Sequence, residues 1–393
     1  METEYRYLLH LLGAYLRQET PEIREDADWK QLIRLSQIHN VAGILGYMGK
    51  KYPICSEEQT KALLRGLCHN TIGVYARRNA QADALAAELE QAGIDHILMK
   101  GYVLRDFYPV ADLRTFNDID LVIRPEDRKK CDERMLALGF QRHTDWEPVY
   151  SYVRGSEFYE IHTQIMEIDV SDRADYQGYF RNLWEHAKPV RDHSYRFTPE
   201  FHFLYLLTHI AKHVYGSGAG IRMYLDVAAF LRHYGETVNW RWIREQLEVL
   251  KLEQFADTVV SAVESWFGVR SPMEHGTAEM SVLEDLLLFT MEAGTFGHYQ
   301  RDGALASLKH EDPEEEGSRA RKVLEKTFPK AKTIEKRYTY LQRNPWLLPV
   351  AWVHRLVKNR EKLGQRTREM EQIIRIDAEE VRKQQKLMRD IGL

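Results

Sequence analysis

The run from His96 to Arg124, HILMKGYVLRDFYPVADLRTFNDIDLVIR, constrains the fold of this chain more than any other stretch. An apolar triplet, Ile97-Leu98-Met99, is closed by Lys100-Gly101, and the run ends in Asp118-Ile-Asp-Leu-Val-Ile. This pattern predicts a strand, a glycine turn, a short helix, a loop and a second strand. Residues two apart in a strand point to the same side. Asp118 and Asp120 therefore project together, while Ile119 and Leu121 face a core. Two carboxylates on one face raise each other's pKa unless a cation lies between them, and hard divalent ions such as magnesium take oxygen ligands of this kind. The alternative is a strand-end cap at Asp118 beside a solvated Asp120.

The flanking sequence reads as helix on both sides. Leu8, Leu11, Leu12 and Leu16 recur at helical spacing, as do Leu32, Ile33 and Leu35. A long helix is expected from Ser56 to Gln91, with Gly93 as its C-terminal cap. Pro125-Glu126-Asp127 starts another helix that ends at Gly139. Residues 140–170 alternate and are rich in aromatic and β-branched residues, so they read as β structure with a turn at Arg154-Gly155-Ser156. From about residue 176 the pattern is helical again. Lys309–Arg321 is a charged break, and a charged terminal helix is expected from Arg366 to Met388.

The expected class is α+β, with a small mixed β-sheet core at 94–175. An N-terminal helical region (1–93) precedes it. A helical domain (176–308) and a charged loop with a C-terminal helical extension (309–393) follow.

The net charge of −4 gives no general drive towards nucleic acid. Three cysteines, Cys55, Cys68 and Cys131, form no CxxC pair, which points to reduced thiols and a cytoplasmic location. The N-terminus lacks the features of a signal peptide, and no apolar run approaches the ~20 residues of a membrane span. The segment PWLLPVAWVHRLVKNREKLGQRTR mixes Trp346 and Trp352 with basic residues. It could lie on a membrane surface as a peripheral contact, although helix packing in a core is the commoner use of such a pattern.

The order strand, glycine turn, helix, loop and Asp-x-Asp resembles the nucleotidyltransferase superfamily typified by DNA polymerase beta. It is more closely similar to a bacterial branch described as uncharacterised nucleotidyltransferases. Lys100-Gly101, Tyr108-Pro109, Arg114, Asp118-Ile119-Asp120 and Glu160-Ile161-His162 carry the likeness. It continues through the helical stretch His209 to Asp226, with weaker echoes at Pro345–Arg355. The superfamily's usual Gly-Ser turn is Gly101-Tyr102 here, and the gap from Gly101 to Asp118 is longer than usual.

The resemblance implies transfer of a nucleoside monophosphate from an NTP, ATP included, to a hydroxyl acceptor. Magnesium, or manganese in its place, would be held by Asp118, Asp120 and Glu160. Glu160 sits two residues before His162 on one face of its strand, and Asp169 is the runner-up for third ligand. The bland alternative for Glu160 is an exposed sheet residue. Lys100, Gly101 and Tyr102 lie where free N–H groups at a helix start could meet phosphate. Arg114 could neutralise phosphate charge, and the resemblance sets Arg222 near the cleft. Otherwise Lys100 and Arg114 are solvated, and Arg222 with Asp226 forms an i,i+4 ion pair. His209 and His213 have a zinc-compatible spacing but no third ligand, which favours a structural or cleft-lining role.

The acceptor is open between a small molecule, a sugar or polysaccharide precursor, a protein hydroxyl and a tRNA end. Two other classes of function stand beside this one. They are a catalytically silent nucleotide-binding regulator and a helical interaction protein with an incidental Asp-x-Asp.

Overall fold

The computed structural model describes residues 2–167, 170–216, 218–294, 324, 327–334, 338, 340–358 and 377–393. Asp169, the Lys309–Arg321 break and the first part of the expected terminal helix lie outside them. The described end of that helix runs Ala378–Asp390.

Four helices precede the sheet: α1 (Glu2–Arg17), α2 (Trp29–Ile38), α3 (Ala42–Lys51) and α4 (Glu58–Gln91). Leu8, Leu11, Leu12 and Leu16 of α1 are all buried, as the spacing predicts. The first helical residue of α4 follows Glu57, not Ser56, and the Glu57 carboxylate accepts the Thr60 hydroxyl at 2.7 Å. At the other end Gly93 takes a φ of +63°, a left-handed turn that costs glycine nothing. The chain then enters the sheet.

Seven strands form one mixed sheet. They are β1 (His96–Leu98), β2 (Ile119–Ile123), β3 (Gln141–Trp146), β4 (Val149–Arg154), β5 (Glu157–His162), β6 (Ala187–Pro189) and β7 (Ser194–Phe197). Their spatial order is β3-β4-β5-β2-β1-β7-β6. Between β1 and β2 lies the single turn α5 (Gly101–Leu104), and α6 (Arg128–Ala137) joins β2 to β3. The strand β2 is central and buried along its whole length, because β1 pairs with it antiparallel on one side and β5 parallel on the other.

The β6–β7 hairpin departs from the expectation of continuous helix after residue 176. Only α7 (Tyr176–Tyr179) and a 3₁₀ stretch precede it. Strands of three and four residues are too short to show a period of two. What recruits them is tertiary: β7 runs parallel to β1, and the His96 N–H donates to the His193 carbonyl at 2.9 Å.

Five helices follow: α8 (Pro199–Gly216), α9 (Ile221–Tyr234), α10 (Trp240–Leu250), α11 (Glu253–Phe267) and α12 (Met280–Ala293). The Asn239 side chain caps α10 by accepting from the Trp242 N–H at 3.0 Å. One contiguous buried cluster joins α1–α4, the sheet and α8–α12, and it includes Leu387, Met388, Ile391 and Leu393 near the C-terminus. Farther along, Trp352 packs on a separate small cluster of Ile334, Tyr338, Leu341 and Ala351, whereas Trp346 is 75% exposed. Among the described residues, no helix is long and apolar enough to cross a membrane.

The β1–β2 connection is held from several directions. The Val110 N–H donates to the Tyr15 hydroxyl of α1, Asn79 Nδ2 of α4 donates to Asp112, and the Thr115 hydroxyl donates to the Asn40 carbonyl. The strongest tie comes from α9. Arg114 donates to both oxygens of Asp226, Nε at 2.9 Å and Nη2 at 2.6 Å, and Tyr108 donates its hydroxyl to the same carboxylate at 2.7 Å. All three residues are buried.

Removing one partner of a buried ion pair leaves an uncompensated charge and costs about 3–5 kcal/mol. Asp226→Asn should therefore lower the unfolding free energy by that order in urea titrations. A loss below about 1 kcal/mol, the size of a surface pair, would show that this tie does not hold the connection.

Candidate functional site

The parallel pairing of β2 with β5 sets Asp120 beside Glu160 and Val122 beside His162. Side chains of laterally paired residues point to one face, so Glu160 joins Asp120. Asp120 Oδ1 accepts from Lys100 Nζ at 2.5 Å and lies 3.0 Å from His162 Nε2. That imidazole nitrogen is 3.7 Å from Glu160 Oε2. The potential ligand atoms of Asp120, Glu160 and His162 all lie within 4.8 Å of one another, and Asp120 and His162 are buried. Asp118 precedes β2 and is not in that group, so the structure brings together two of the three expected carboxylates and adds a histidine.

Electrostatics still tie Asp118 to the group. The negative charge of Asp120 and then burial push the Asp118 carboxyl up to about 6, Glu160 adds to the rise, and Lys100 opposes it. Burial alone would raise Asp120 as well, but Lys100 and His162 hold it well below the usual carboxylate range. The His162 imidazole is held above its ordinary value: burial opposes this, but its hydrogen bond to Asp120 and the nearby Glu160 carboxylate win.

The strand-to-helix turn is tight. Lys100 sits at φ +47°, ψ −123°, a conformation that costs a non-glycine residue of order 1–3 kcal/mol. Gly101 follows with its bare face turned inward, and a Cβ there would lie 2.4 Å from Phe116 Cβ and 2.6 Å from Arg114 Nη1. The glycine thus permits close packing of the turn on residues 114–116. The helix after it has only four residues.

The expected phosphate contacts are redistributed. Lys100 is paired with Asp120. Arg114 is committed to Asp226 and to the Thr115 carbonyl, at 2.7 Å from Nη1. Tyr102 donates its hydroxyl to Asp83 of α4, with the Arg105 guanidinium over its ring. Arg222 donates to the Thr115 carbonyl at 2.7 Å and the Thr115 hydroxyl at 3.2 Å. The i,i+4 ion pair of Arg222 with Asp226 is not formed, because Asp226 already faces Arg114. The Arg222 Nε is buried without a hydrogen-bond partner, and burial followed by the charge of Arg114 pushes its guanidinium down to about 10.

Sequence reasoning missed Lys212 of α8. It is half-buried and makes no hydrogen bond or ion pair with a described residue. Burial lowers its pKa, and it feels Glu167, Lys100, Asp120 and Glu160. The available signal was a lone lysine in a helix, PEFHFLYLLTHIAKHVYG, that is mostly apolar and aromatic. His209 and His213 on the same helix pack ring against ring at 4.6 Å. Burial and then the neighbouring His213 hold His209 well below its ordinary value; burial and Lys212 push His213 down to about 4. Both rings are therefore neutral at pH 7. Lys212 of α8 thus faces the acids carried by β2 and β5, whereas the charges nearest Arg222 of α9 are Arg114 and Asp226.

A family model described as an uncharacterised nucleotidyltransferase matches residues 25–268. That span takes in the β1–β2 connection, the Asp120, Glu160 and His162 group, and both α8 and α9. No curated protein and no solved structure matches the chain.

The raised pKa of Asp118 has a defined sign in stability. An acid whose folded-state value is raised stabilises the fold relative to its ionised form only while protonated. Its contribution is full below about 4 and is lost as pH rises through about 6. Asp118→Asn in chelator-treated protein should therefore match wild type near pH 4. At pH 8 it should be more stable by about 2–3 kcal/mol, at 1.36 kcal/mol per unit. Equal melting curves at pH 8 would contradict the repulsion between Asp118 and Asp120.

Proposed function

The chain belongs to the uncharacterised nucleotidyltransferase family, and from that membership and its carboxylate group we propose a metal-dependent enzyme that moves a nucleoside monophosphate from an NTP to a hydroxyl acceptor. The observation that carries this reading is the register of β2 against β5, which sets Asp120 beside Glu160 in a buried floor. That floor fits a divalent cation. Its ligand atoms converge within 4.8 Å, and the repulsion recorded in the pKa of Asp118 is of the kind a cation relieves. Asp120 and Glu160 would hold the ion, with Asp118 at its edge. A bound divalent ion supplies charge stabilisation to the attacking and leaving oxygens of an in-line displacement at the α-phosphorus.

The chain's own residues supply the rest. Lys212, partly desolvated and without a hydrogen-bond or ion-pair partner among the described residues, is the cation most available to the leaving pyrophosphate. Lys100 now neutralises Asp120 and would be released towards phosphate once that carboxylate takes another cation. Arg222 has a buried Nε–H without a partner among the described residues. Arg114 acts at one remove, by fixing the connection that carries Lys100. The acceptor is a hydroxyl on a small molecule, a sugar, a protein or a tRNA end. The net charge of −4 argues against an extensive nucleic-acid footprint. The three unpaired buried cysteines fit a reducing, cytoplasmic setting.

Transfer of label from α-labelled NTP into cell extract tests the reaction, and mass spectrometry of the labelled product identifies the acceptor. Asp120→Asn and Glu160→Gln should each reduce transfer by at least about a hundredfold, since metal-assisted stabilisation is worth several kcal/mol and each ~1.4 kcal/mol is tenfold. Lys212→Met should raise the NTP KM more than it lowers kcat. Undiminished transfer by Asp120→Asn would overturn the assignment, and NTP binding without any transfer would make the chain a nucleotide-responsive regulator.

A further inference from the structure

The histidine in the carboxylate floor changes which ion that floor suits. Asp120 and His162 are both nearly excluded from solvent, at 3% and 2% exposure. His162 Nε2 faces both acids, 3.0 Å from Asp120 Oδ1 and 3.7 Å from Glu160 Oε2. Donors about 2.1 Å from one ion and at right angles stand about 3 Å apart, and opposite donors about 4.2 Å, so the 3.0 Å spacing is that of adjacent ligands and the 3.7 Å spacing is one that two ligands of a single centre can span. The opposite ring nitrogen, Nδ1, is buried and has no hydrogen-bond partner. Its nearest acid is Glu167, with Oε1 at 4.0 Å.

Metal-bound histidines usually donate their second N–H to a carboxylate, which fixes the tautomer and turns the other nitrogen towards the ion. Glu167 stands in that outer position, on the irregular segment after β5, and a shift of about 1 Å would close the bond. The same segment is anchored further on, where Arg173 donates to the carbonyls of Gly392 and Leu393.

We infer that His162 is itself a ligand, through Nε2, of the ion held by Asp120 and Glu160, with Glu167 orienting the imidazole from behind. The inference rests on the metal-dependent reading above and specifies its chemistry. The donor set is mixed oxygen and nitrogen. Magnesium binds oxygen almost exclusively and sheds water reluctantly, whereas first-row transition ions accept imidazole together with carboxylate. The site therefore favours a first-row divalent ion, for which manganese(II) is the probe, over magnesium. His162 also separates this floor from an all-carboxylate one, in which a histidine at the same position would serve only as a hydrogen-bond partner of Asp120.

The test is pulsed electron paramagnetic resonance on the full chain loaded with manganese(II). Wild type should show hyperfine coupling from a directly bound nitrogen. His162→Gln should still bind manganese through Asp120 and Glu160 but lose the coupling, and His209→Gln should keep it. The excess of magnesium needed to displace manganese should fall by about tenfold or more in His162→Gln, the scale on which ligand-shell changes act. Isotopically labelled histidine in wild type gives the same answer without a substitution: the coupling should change to that of the labelled nucleus. Bound manganese with no nitrogen coupling, or coupling that survives in His162→Gln, overturns the ligand role and leaves the metal-dependent reading standing. Failure of manganese to bind wild type at all removes both.

Discussion

Asp226 reaches from α9 to take the Arg114 guanidinium on both its oxygens, and that contact ties down the connection between the two strands at the centre of the site. Charges buried this deeply are tolerated only when their remaining hydrogen-bonding capacity is used. Here Tyr108 fills the carboxylate and the Thr115 carbonyl fills the guanidinium. The pair locks the β1–β2 connection against the helical wall. That connection carries Lys100 at one end and Asp118 at the other, so the clamp sets the approach of both to Asp120. It also excludes Arg222 from Asp226, leaving a second, half-buried guanidinium whose hydrogen bonds to described residues go to Thr115. Two arginines and one aspartate leave that cluster net positive.

Within the floor, Asp120 is the hub. It is the single charged residue of a strand buried on both faces, and Lys100 and His162 together keep it ionised. Its charge is in turn the main cause of the rise at Asp118. The described arrangement is thus neutralised from within, by a lysine and a histidine, at the place where the proposed ion would lie. The backbone strain at Lys100 belongs to the same logic. A left-handed φ just before Gly101 turns the chain sharply enough for the ammonium to fold back over the sheet, and such outliers persist where surrounding contacts over-determine them.

Much of this was legible in the sequence, for identifiable reasons. Alternation in Asp118-Ile-Asp-Leu-Val-Ile and in residues 157–162 assigns faces to side chains. Two strands with acids on their cleft faces need only pair in register to bring Asp120 to Glu160. Residues 187–197 were not legible, because three- and four-residue strands carry no periodic signal and β1, the partner of β7, lies 98 residues earlier. The fates of Arg114, Tyr102 and Arg222 were hidden for a related reason. A sequence shows that a charge exists but not which opposite charge it meets, and the partner of Arg114 is 112 residues away. Lys212 lies between two histidines and carries no local signal of what it faces. Its significance comes from burial on a helix facing carboxylates, which is a tertiary property.

The central claim is that this floor binds a nucleotide only together with a divalent ion. The most direct measurement is isothermal titration of each of the four NTPs into the full-length protein, with magnesium, with manganese and with chelator. The account predicts binding of at least one NTP when either ion is present and its loss when the ion is removed. NTP binding that is indifferent to the chelator, or no binding of any NTP with either ion, would contradict it.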